Sequence, residues 1–316
     1  LLLDSLLHSL AQSGVGCFIG RLFVGALAYA DDIVLLAPTA NGMRTLLRLC
    51  DVFAEDFSVV FNAAKTKCLW FKGRRNIALC DNKCPYFSIG GNAIEFVNSW
   101  PHLGHILTAD FDDRADIEQR KHSLCGQIND VLCYFGKRQS VVKLQLMKTY
   151  CSSFYGSVLW DLGHPAIDSF CASWRKGLRR VWGIPYCTHR SLLPVLSNYL
   201  PLLDELCCRT ASFIVSCLES DSLIVSSVAR YAVYSGRMNS HLGRNAFFCC
   251  SRFGANDILA VTRYWVSRHF ATNVSAQLNA TVLFLLELLF IREAVFSCSG
   301  FSSCEIDNLI SFICTS

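Results

Sequence analysis

Apolar and polar positions follow two different patterns along the chain, and the change falls near residue 108. Before it, short apolar runs rich in β-branched residues are separated by glycine and polar turns, which predicts strands. The first such runs are 16–19, 23–28 and 33–37, and a short acidic turn joins the last two. These two runs therefore predict a β-hairpin with Tyr29-Ala30-Asp31-Asp32 at its tip.

The same part of the chain also carries helical patterns. Residues 2–10 read as a helix, and a second helix opens after 38–42. Its apolar positions are Leu46, Leu47, Cys50, Phe53, Ala54 and Phe57. Further strands are predicted at 68–71 and 102–107, and a hairpin over 87–96 turns at Gly90-Gly91. Residues 1–108 therefore predict an α+β arrangement, with an antiparallel sheet and helices.

Beyond Asp110 the strand patterns fade and apolar residues recur at helical spacing. One such stripe contains Ile117, Leu124, Ile128, Leu132 and Phe135, and another contains Ile167, Phe170, Trp174, Leu178 and Val181. We expect Trp174 and Trp182 to be core residues rather than stacking platforms for bases. The pattern predicts a helical region over 109–205, and a further helical region without a sharp motif over 206–316.

Composition narrows the class of protein. Hydrophobic residues make up 52% of the chain and charged residues 17%, which excludes a disordered chain. We do not expect the first segment, LLLDSLLHSL, to be a signal peptide, because it lacks a basic start and carries Asp4 within its apolar run. The most apolar stretch, 282–291, is shorter than the roughly 20 residues of a membrane span. We expect an intracellular protein, cytoplasmic or nuclear, without membrane contact, whose eighteen cysteines are mostly buried free thiols.

The dipeptide Asp31-Asp32 is the sharpest chemical feature. Two consecutive carboxylates cannot both be buried without a cation, because desolvation and mutual repulsion oppose it. Mg²⁺ would resolve this, since it accepts carboxylate oxygens and bridges substrate phosphates. An exposed acidic turn is the alternative, because Asp is favoured in turns. The dipeptide alone leaves both interpretations open.

The order of motifs around this dipeptide resembles the reverse transcriptases of LINE-type non-LTR retrotransposons, over about residues 1–205. The hairpin, a helix, Asn62-Ala-Ala-Lys65-Thr66, a strand, a glycine hairpin and Trp100-Pro-His-Leu103-Gly104 occur in the family's order. The resemblance implies that Tyr29–Asp32 is the third palm motif, that Lys65 lies in the fourth, and that Leu103-Gly104 lies in the fifth, the primer grip.

The resemblance also implies roles, partners and domains. Asp31 and Asp32 would bind two Mg²⁺ ions, Lys65 would serve the leaving group, and Tyr29, Ala30, Leu103 and Gly104 would lie near the primer end or nucleotide. The intact enzyme would extend a DNA primer on an RNA template with dNTPs. Residues 1–108 would be the C-terminal part of the palm, 109–205 the thumb, and 206–316 a region of unknown role.

The family's first palm motif, with its own metal-binding Asp, and its Gly-rich second motif are expected before Leu1, in the N-terminal half of the same polyprotein. With two of three metal carboxylates, this chain alone is not expected to polymerise. Other readings are a non-catalytic nucleic-acid-binding remnant or a decayed copy without function. An unrelated metal-dependent transferase is a weaker alternative, since it leaves the motifs after Asp32 unexplained.

Two basic clusters are candidates for nucleic-acid contact. The first contains Lys65, Lys67, Lys72, Arg74 and Arg75, and no acidic residue occurs between Phe57 and Cys80. The second contains Arg175, Lys176, Arg179, Arg180 and Arg190, within the acid-free stretch 169–203. Residues four apart lie one helical turn apart, so these cations could track phosphates. A solvated helix face is the alternative.

Overall fold

The computed structural model of the protein describes residues 2–71, 85–262 and 309–314. The described chain mixes helices with short strands, which agrees with the predicted α+β class. It divides into two units: the first contains the described residues of 1–112, 222–232 and 309–314, and the second contains 113–221 and 233–262. The assignment of palm and thumb, and the boundaries at 108 and 205, stay predictions.

The strands lie in the first unit. They are β1 (Phe18–Ile19), β2 (Leu22–Phe23), β3 (Ala26–Tyr29), β4 (Asp32–Ala37), β5 (Lys67–Phe71), β6 (Ser88–Ile89), β7 (Asn92–Ala93), β8 (Glu95–Val97), β9 (Ser99–His102), β10 (His105–Thr108) and β11 (Leu309–Cys314). Three antiparallel hairpins, β1–β2, β6–β7 and β9–β10, form separate two-stranded sheets. The predicted hairpin at Gly90-Gly91 is thereby confirmed.

The helices lie in both units. They are α1 (Leu2–Gln12), α2 (Ala40–Phe57), α3 (Arg114–Phe135), α4 (Ser140–Tyr150), α5 (Ala166–Trp182), α6 (Leu192–Ser197), α7 (Leu202–Leu218), α8 (Leu223–Arg230) and α9 (His241–Phe253). Within the described ranges, none of them combines the length and the apolar character that a membrane span requires.

The main sheet has five strands in the order β3-β4-β11-β5-β8. Its first three pairings are antiparallel, whereas β5 and β8 pair in parallel. The sheet is therefore mixed, and the expectation of a purely antiparallel sheet was wrong at β8. The reason is that β5 and β8 are not joined by a tight turn: the chain forms the β6–β7 hairpin between them and re-enters the sheet in the same direction.

The expectation of an all-helical C-terminal region was wrong at 309–314, where the chain forms β11 in the middle of this sheet. This six-residue segment is apolar except for Ser311 and has the length of a strand, but such a short pattern does not distinguish a strand from a helical segment. Its pairing decides the conformation, because β4 and β5 offer backbone hydrogen-bonding groups on both of its sides.

The core of the first unit lies between α2 and the sheet. Leu46, Leu47, Cys50 and Phe53 form the buried face of α2, as the helical spacing predicted. They share one apolar cluster with β4, whose residues 33–37 are all buried. The Thr39 hydroxyl accepts a hydrogen bond from the Gly42 amide at 3.1 Å and so caps the start of the helix. These contacts fix β4 and thereby the base of the acidic tip.

The core of the second unit is formed largely by α5 and α7, with further buried residues from α3, α4 and α9. Trp174 is buried, which confirms its predicted place in the core, and Phe170, Leu178 and Val181 are buried beside it on α5. Gly177 allows the close approach of α5 to α3, because a Cβ atom there would lie 2.6 Å from Ile128 Cδ1.

Buried polar groups fix the loop that precedes α5. Asp116 of α3 is fully buried and accepts a hydrogen bond from Trp160 Nε1 at 2.7 Å. Asn245 of α9 donates to the Trp160 carbonyl at 2.8 Å and accepts from the Leu162 amide at 3.0 Å. Since buried polar groups require partners, these bonds hold α3, α9 and the loop in one arrangement.

Candidate functional site

The acidic tip is a two-residue turn between β3 and β4. Tyr29 pairs with Asp32, so Ala30 and Asp31 form the turn, and the predicted hairpin is confirmed. Asp31 is exposed, Asp32 is half-buried at the start of β4, and Tyr29 is 37% exposed. The tip therefore presents two adjacent carboxylates at the end of a buried strand.

Ala30 adopts a φ of 55°, in the left-handed region that favours glycine. A residue with a Cβ atom is disfavoured there by about 1–2 kcal/mol. The tip therefore contains a strained residue directly before the two carboxylates. Nothing in the sequence indicated this conformation, since alanine is not a turn-forming residue.

Lys65 lies in a second turn, which Asn62 closes. The Asn62 side-chain oxygen accepts from the Lys65 amide at 3.1 Å, and the Asn62 carbonyl accepts from the Thr66 amide at 3.0 Å and the Thr66 hydroxyl at 2.8 Å. Thr66 is buried while Lys65 is exposed. Asn62 and Thr66 thus explain the motif structurally: they hold the turn and leave the Lys65 ammonium accessible.

The register of the sheet brings the two turns to one edge. Val34 of β4 and Lys67 of β5 both pair with Ile313 of β11. Because β4 and β5 run in the same direction on either side of β11, Asp32 and Lys65 each lie two residues before that shared level. Two strand spacings, about 10 Å, separate β4 from β5. The acidic tip and the Lys65 turn are therefore neighbours at one edge of the sheet, the edge formed by the N-terminal ends of β4 and β5.

Lys67 begins β5, and its ammonium is engaged. Lys67 Nζ lies 2.7 Å from Glu95 Oε2 on β8 and 5.5 Å from the centre of the Trp100 ring. These contacts hold the Lys67 side chain against Glu95 and Trp100. A role for Lys67 in nucleic-acid contact stays a prediction. The sequence interpretation gave Glu95 no role, because its partner lies 28 residues away and no local pattern links them.

A cavity of about 640 Å³ opens beside the Lys65 turn. Its lining residues are Val60, Phe61, Asn62, Ala63, Ala64, Asn92 and Ala93. Neither Asp31 nor Asp32 contributes to this lining. The cavity therefore lies at the base of the Lys65 turn and at the β6–β7 hairpin, and not at the acidic tip.

Leu103 and Gly104 form the turn of the β9–β10 hairpin, between the paired residues His102 and His105. Both turn residues have positive φ, 48° at Leu103 and 78° at Gly104. The two histidines are buried, which agrees with a structural role for them. Since β9 lies beside β5, this hairpin belongs to the same region of the first unit as Lys67 and Trp100. Its role near a primer stays a prediction.

The basic residues of α5 differ in their surroundings. Arg179 Nη2 donates to the Thr188 carbonyl at 2.9 Å, and Arg180 Nη1 donates to Asn129 Oδ1 at 2.6 Å. Lys176 is exposed and Arg175 is half-buried. Lys72, Arg74 and Arg75 lie outside the described residues. A nucleic-acid role for all of them stays a prediction; Lys176 and Arg180 are the exposed cations of α5, and Arg180 is the one engaged with Asn129.

Buried thiols of the second unit are poor candidates for chemistry. Desolvation by burial raises the pKa of Cys171 to about 11 and the pKa of Cys217 to about 12. The same effect, with the nearby Glu205 carboxylate, raises the pKa of Cys208 to about 12. These groups are neutral thiols at physiological pH, and a neutral thiol is a poor nucleophile. Among the described residues, no three His, Cys, Asp or Glu side chains converge on a possible metal position.

The donor set at the tip is compatible with Mg²⁺ that is bound together with a substrate. Asp31 and Asp32 offer hard carboxylate oxygens at an accessible edge, as Mg²⁺ requires. Two protein carboxylates are also the usual number where waters and substrate phosphates complete the coordination. The residues present therefore suit a metal that binds together with a phosphate-bearing substrate.

Comparison with known proteins gives one informative similarity. The chain is 30% identical over 112 residues to the retrovirus-related Pol polyprotein of the type-2 retrotransposable element R2DM of Drosophila melanogaster. The similarity covers 34% of this chain and 10% of that relative. No protein-family model matches, and no solved structure matches. The similarity supports a retrotransposon-related origin for this chain, with a reverse-transcriptase-related sequence among its ancestors.

Proposed function

We propose that this chain is part of an RNA-directed DNA polymerase of the LINE type, and that it supplies Asp31, Asp32 and Lys65 to the active site. The observation that carries the proposal is the sheet register, which brings the acidic tip and the Lys65 turn to one edge. The similarity to a retrotransposon Pol polyprotein supports the same origin.

Asp31 and Asp32 would hold two Mg²⁺ ions, with a third carboxylate from a segment outside residues 1–316. When bound, Mg²⁺ supplies charge stabilisation for the attacking 3′-oxygen and the leaving pyrophosphate. Lys65 would donate a proton from its ammonium to the pyrophosphate. Its exposure on a turn held by Asn62 suits that role, because the side chain is free to reach the leaving phosphate.

The primer and template would contact other residues of the chain. Tyr29 and Ala30 would lie beneath the primer end, and Leu103-Gly104 would contact the primer from the second hairpin. Lys67, Lys72, Arg74 and Arg75, together with Arg175, Lys176, Arg179 and Arg180, would contribute positive charge toward the phosphates of the RNA template and DNA primer. The substrates would be dNTPs.

The test is primer extension by an intact polymerase that contains this chain. We expect Asp31→Asn and Asp32→Asn to reduce DNA synthesis by at least about a hundredfold, since each removes a carboxylate charge from the metal site. Lys65→Ala should lower kcat, and Lys65→Arg should restore part of the loss. Asp56→Asn is the matched control, because Asp56 is an exposed carboxylate on α2. Full activity of the Asp31 variant would reject the proposal.

A nucleic-acid-binding remnant is the second candidate, and the exposed Lys176 on α5 favours it. It predicts binding of the isolated chain to nucleic acid that weakens with salt and is indifferent to Mg²⁺. The primer-extension test distinguishes the two candidate functions. If this chain takes no part in the chemistry, Asp31→Asn should leave DNA synthesis unchanged.

A further inference from the structure

The turn between α3 and α4 exposes aromatic and basic side chains next to one another. Tyr134 is 81% exposed and Phe135 is 39% exposed at the end of α3. Lys137 and Arg138 follow, both exposed, and the Arg138 amide closes the turn by donating to the Phe135 carbonyl at 2.9 Å. A single exposed side chain would need no explanation, but two exposed aromatic rings beside two cations form a patch that can serve as a contact surface.

The charged residues between Asp130 and Asp161 are all basic. They are Lys137, Arg138, Lys143 and Lys148. Lys148 is engaged, because its ammonium lies 4.4 Å from the centre of the Tyr199 ring. Asp130 lies about one helical turn before Tyr134. Burial and, to a smaller extent, the Asp130 charge raise the pKa of the nearby Cys151 thiol. The turn itself therefore presents uncompensated positive charge from Lys137 and Arg138.

The packing of α5 adds cations at the same end of the unit. Lys121 Nζ donates to Ser169 Oγ at 3.1 Å, and eight residues further along α3 Asn129 accepts from Arg180. The two helices thus run in the same direction, and both C-terminal ends lie at one end of the second unit. Arg180 and the exposed Lys176 therefore extend the positive surface toward the α3–α4 turn.

We propose that the α3–α4 turn binds single-stranded nucleic acid, with Tyr134 stacking on an unpaired base and with Lys137 and Arg138 contacting the adjacent phosphates. An exposed aromatic ring flanked by cations provides a stacking surface and a backbone contact together. The bases of a duplex are already stacked on one another, so a single strand fits better than a duplex. This binding needs no metal and none of the residues at the acidic tip.

The experiment measures fluorescence anisotropy of labelled oligothymidylate with the full 316-residue chain and its variants. We expect Tyr134→Ala to weaken binding by about tenfold and Tyr134→Trp to retain it, because stacking needs a ring. Lys137→Gln/Arg138→Gln should lower the slope of log affinity against log salt by about 1.4, since two phosphate contacts are lost. A blunt duplex of matched length should bind more weakly than the single strand and should not respond to Tyr134→Ala.

Two controls make the outcome decisive. Arg21→Gln/Arg48→Gln removes the same charge from exposed positions of the first unit, and Tyr150→Ala removes an exposed ring at the other end of α4. Equal losses in these controls would overturn the proposal, as would no binding by the wild-type chain or an unchanged affinity of Tyr134→Ala. Stronger binding to anionic vesicles that depends on Tyr134 would also overturn it. If Tyr134→Ala does not fold, the salt dependence of Lys137→Gln/Arg138→Gln and the affinity of Tyr134→Trp still test the proposal. Neither readout depends on polymerase activity.

Discussion

Lys67 and Glu95 form an ion pair, with 2.7 Å between Nζ and Oε2, at directly paired positions of the parallel strands β5 and β8. The Lys67 side chain is 14% exposed and the Glu95 side chain is 68% exposed. The pair joins the strand that follows the Lys65 turn to the strand that precedes the β9–β10 hairpin. It therefore links two of the motifs on which the proposed function depends.

Because one partner is largely exposed, we expect the pair to contribute only about 0.5–1 kcal/mol to the free energy of unfolding. Urea denaturation of Lys67→Met, Glu95→Gln and the double variant would give this coupling energy. Lys67→Met should be the more destabilising single variant, because it also removes the cation–π interaction with Trp100. A coupling energy of zero would show that the pair contributes nothing to stability.

Replacing Ala30 with glycine should stabilise the chain by about 0.5–1 kcal/mol. The positive φ of Ala30 carries a strain that glycine lacks, and this gain exceeds the entropy that glycine loses on folding. Urea denaturation measures the change. Ala93→Gly is the control: Ala93 is an exposed strand residue without positive φ, so glycine there should destabilise by a similar amount. A loss of stability in Ala30→Gly would contradict the turn geometry.

Adding a methyl group at Gly177 should destabilise the second unit by about 1–3 kcal/mol. The new Cβ would lie 2.6 Å from Ile128 Cδ1 and 3.2 Å from Met147 Cε, so α3 and α4 would have to shift. Gly126→Ala on α3 should instead stabilise by roughly 0.5–1 kcal/mol, since nothing lies within 4 Å of its Cβ position. Thermal unfolding followed by circular dichroism compares them, and equal effects of the two variants would contradict the packing of α3 against α5.

The stability of the chain should fall as the pH rises above about 9. Burial raises the pKa values of Cys171, Cys208 and Cys217 to about 11–12 in the folded state. Above the ordinary thiol pKa, the unfolded chain loses these protons while the folded chain keeps them. The folded state then binds more protons, and the free energy of unfolding decreases with pH. Urea denaturation between pH 8 and about 11 measures this.

Serine at each of the three cysteine positions should flatten the decrease, because a hydroxyl does not ionise in this range. Thiol labelling followed by peptide mapping gives an independent check at neutral pH. Cys125, Cys133 and Cys187 are exposed and should react with a thiol reagent in the native chain, whereas Cys171, Cys208 and Cys217 should not. Rapid labelling of the buried set would contradict their burial.

The elements that depend on residues close together in the sequence could be predicted from the sequence alone. The Tyr29–Asp32 hairpin, the helix with Leu46 and Leu47 on its buried face, and the turn at Gly90-Gly91 all follow from local patterns. Apolar alternation, helical spacing and turn-forming residues act over short stretches of chain, so a single sequence is enough to predict where these elements lie.

Features that join distant segments were decided by the tertiary structure. The pairing of β11 with β4 and β5, the parallel pairing of β8, and the ion pair between Lys67 and Glu95 each join residues far apart in the sequence. A short apolar run does not specify which strands flank it, since backbone hydrogen bonding is nearly independent of side-chain identity. The sequence therefore contained Asp32 and Lys65 as separate motifs, and only strand pairing brought them to one edge of a sheet.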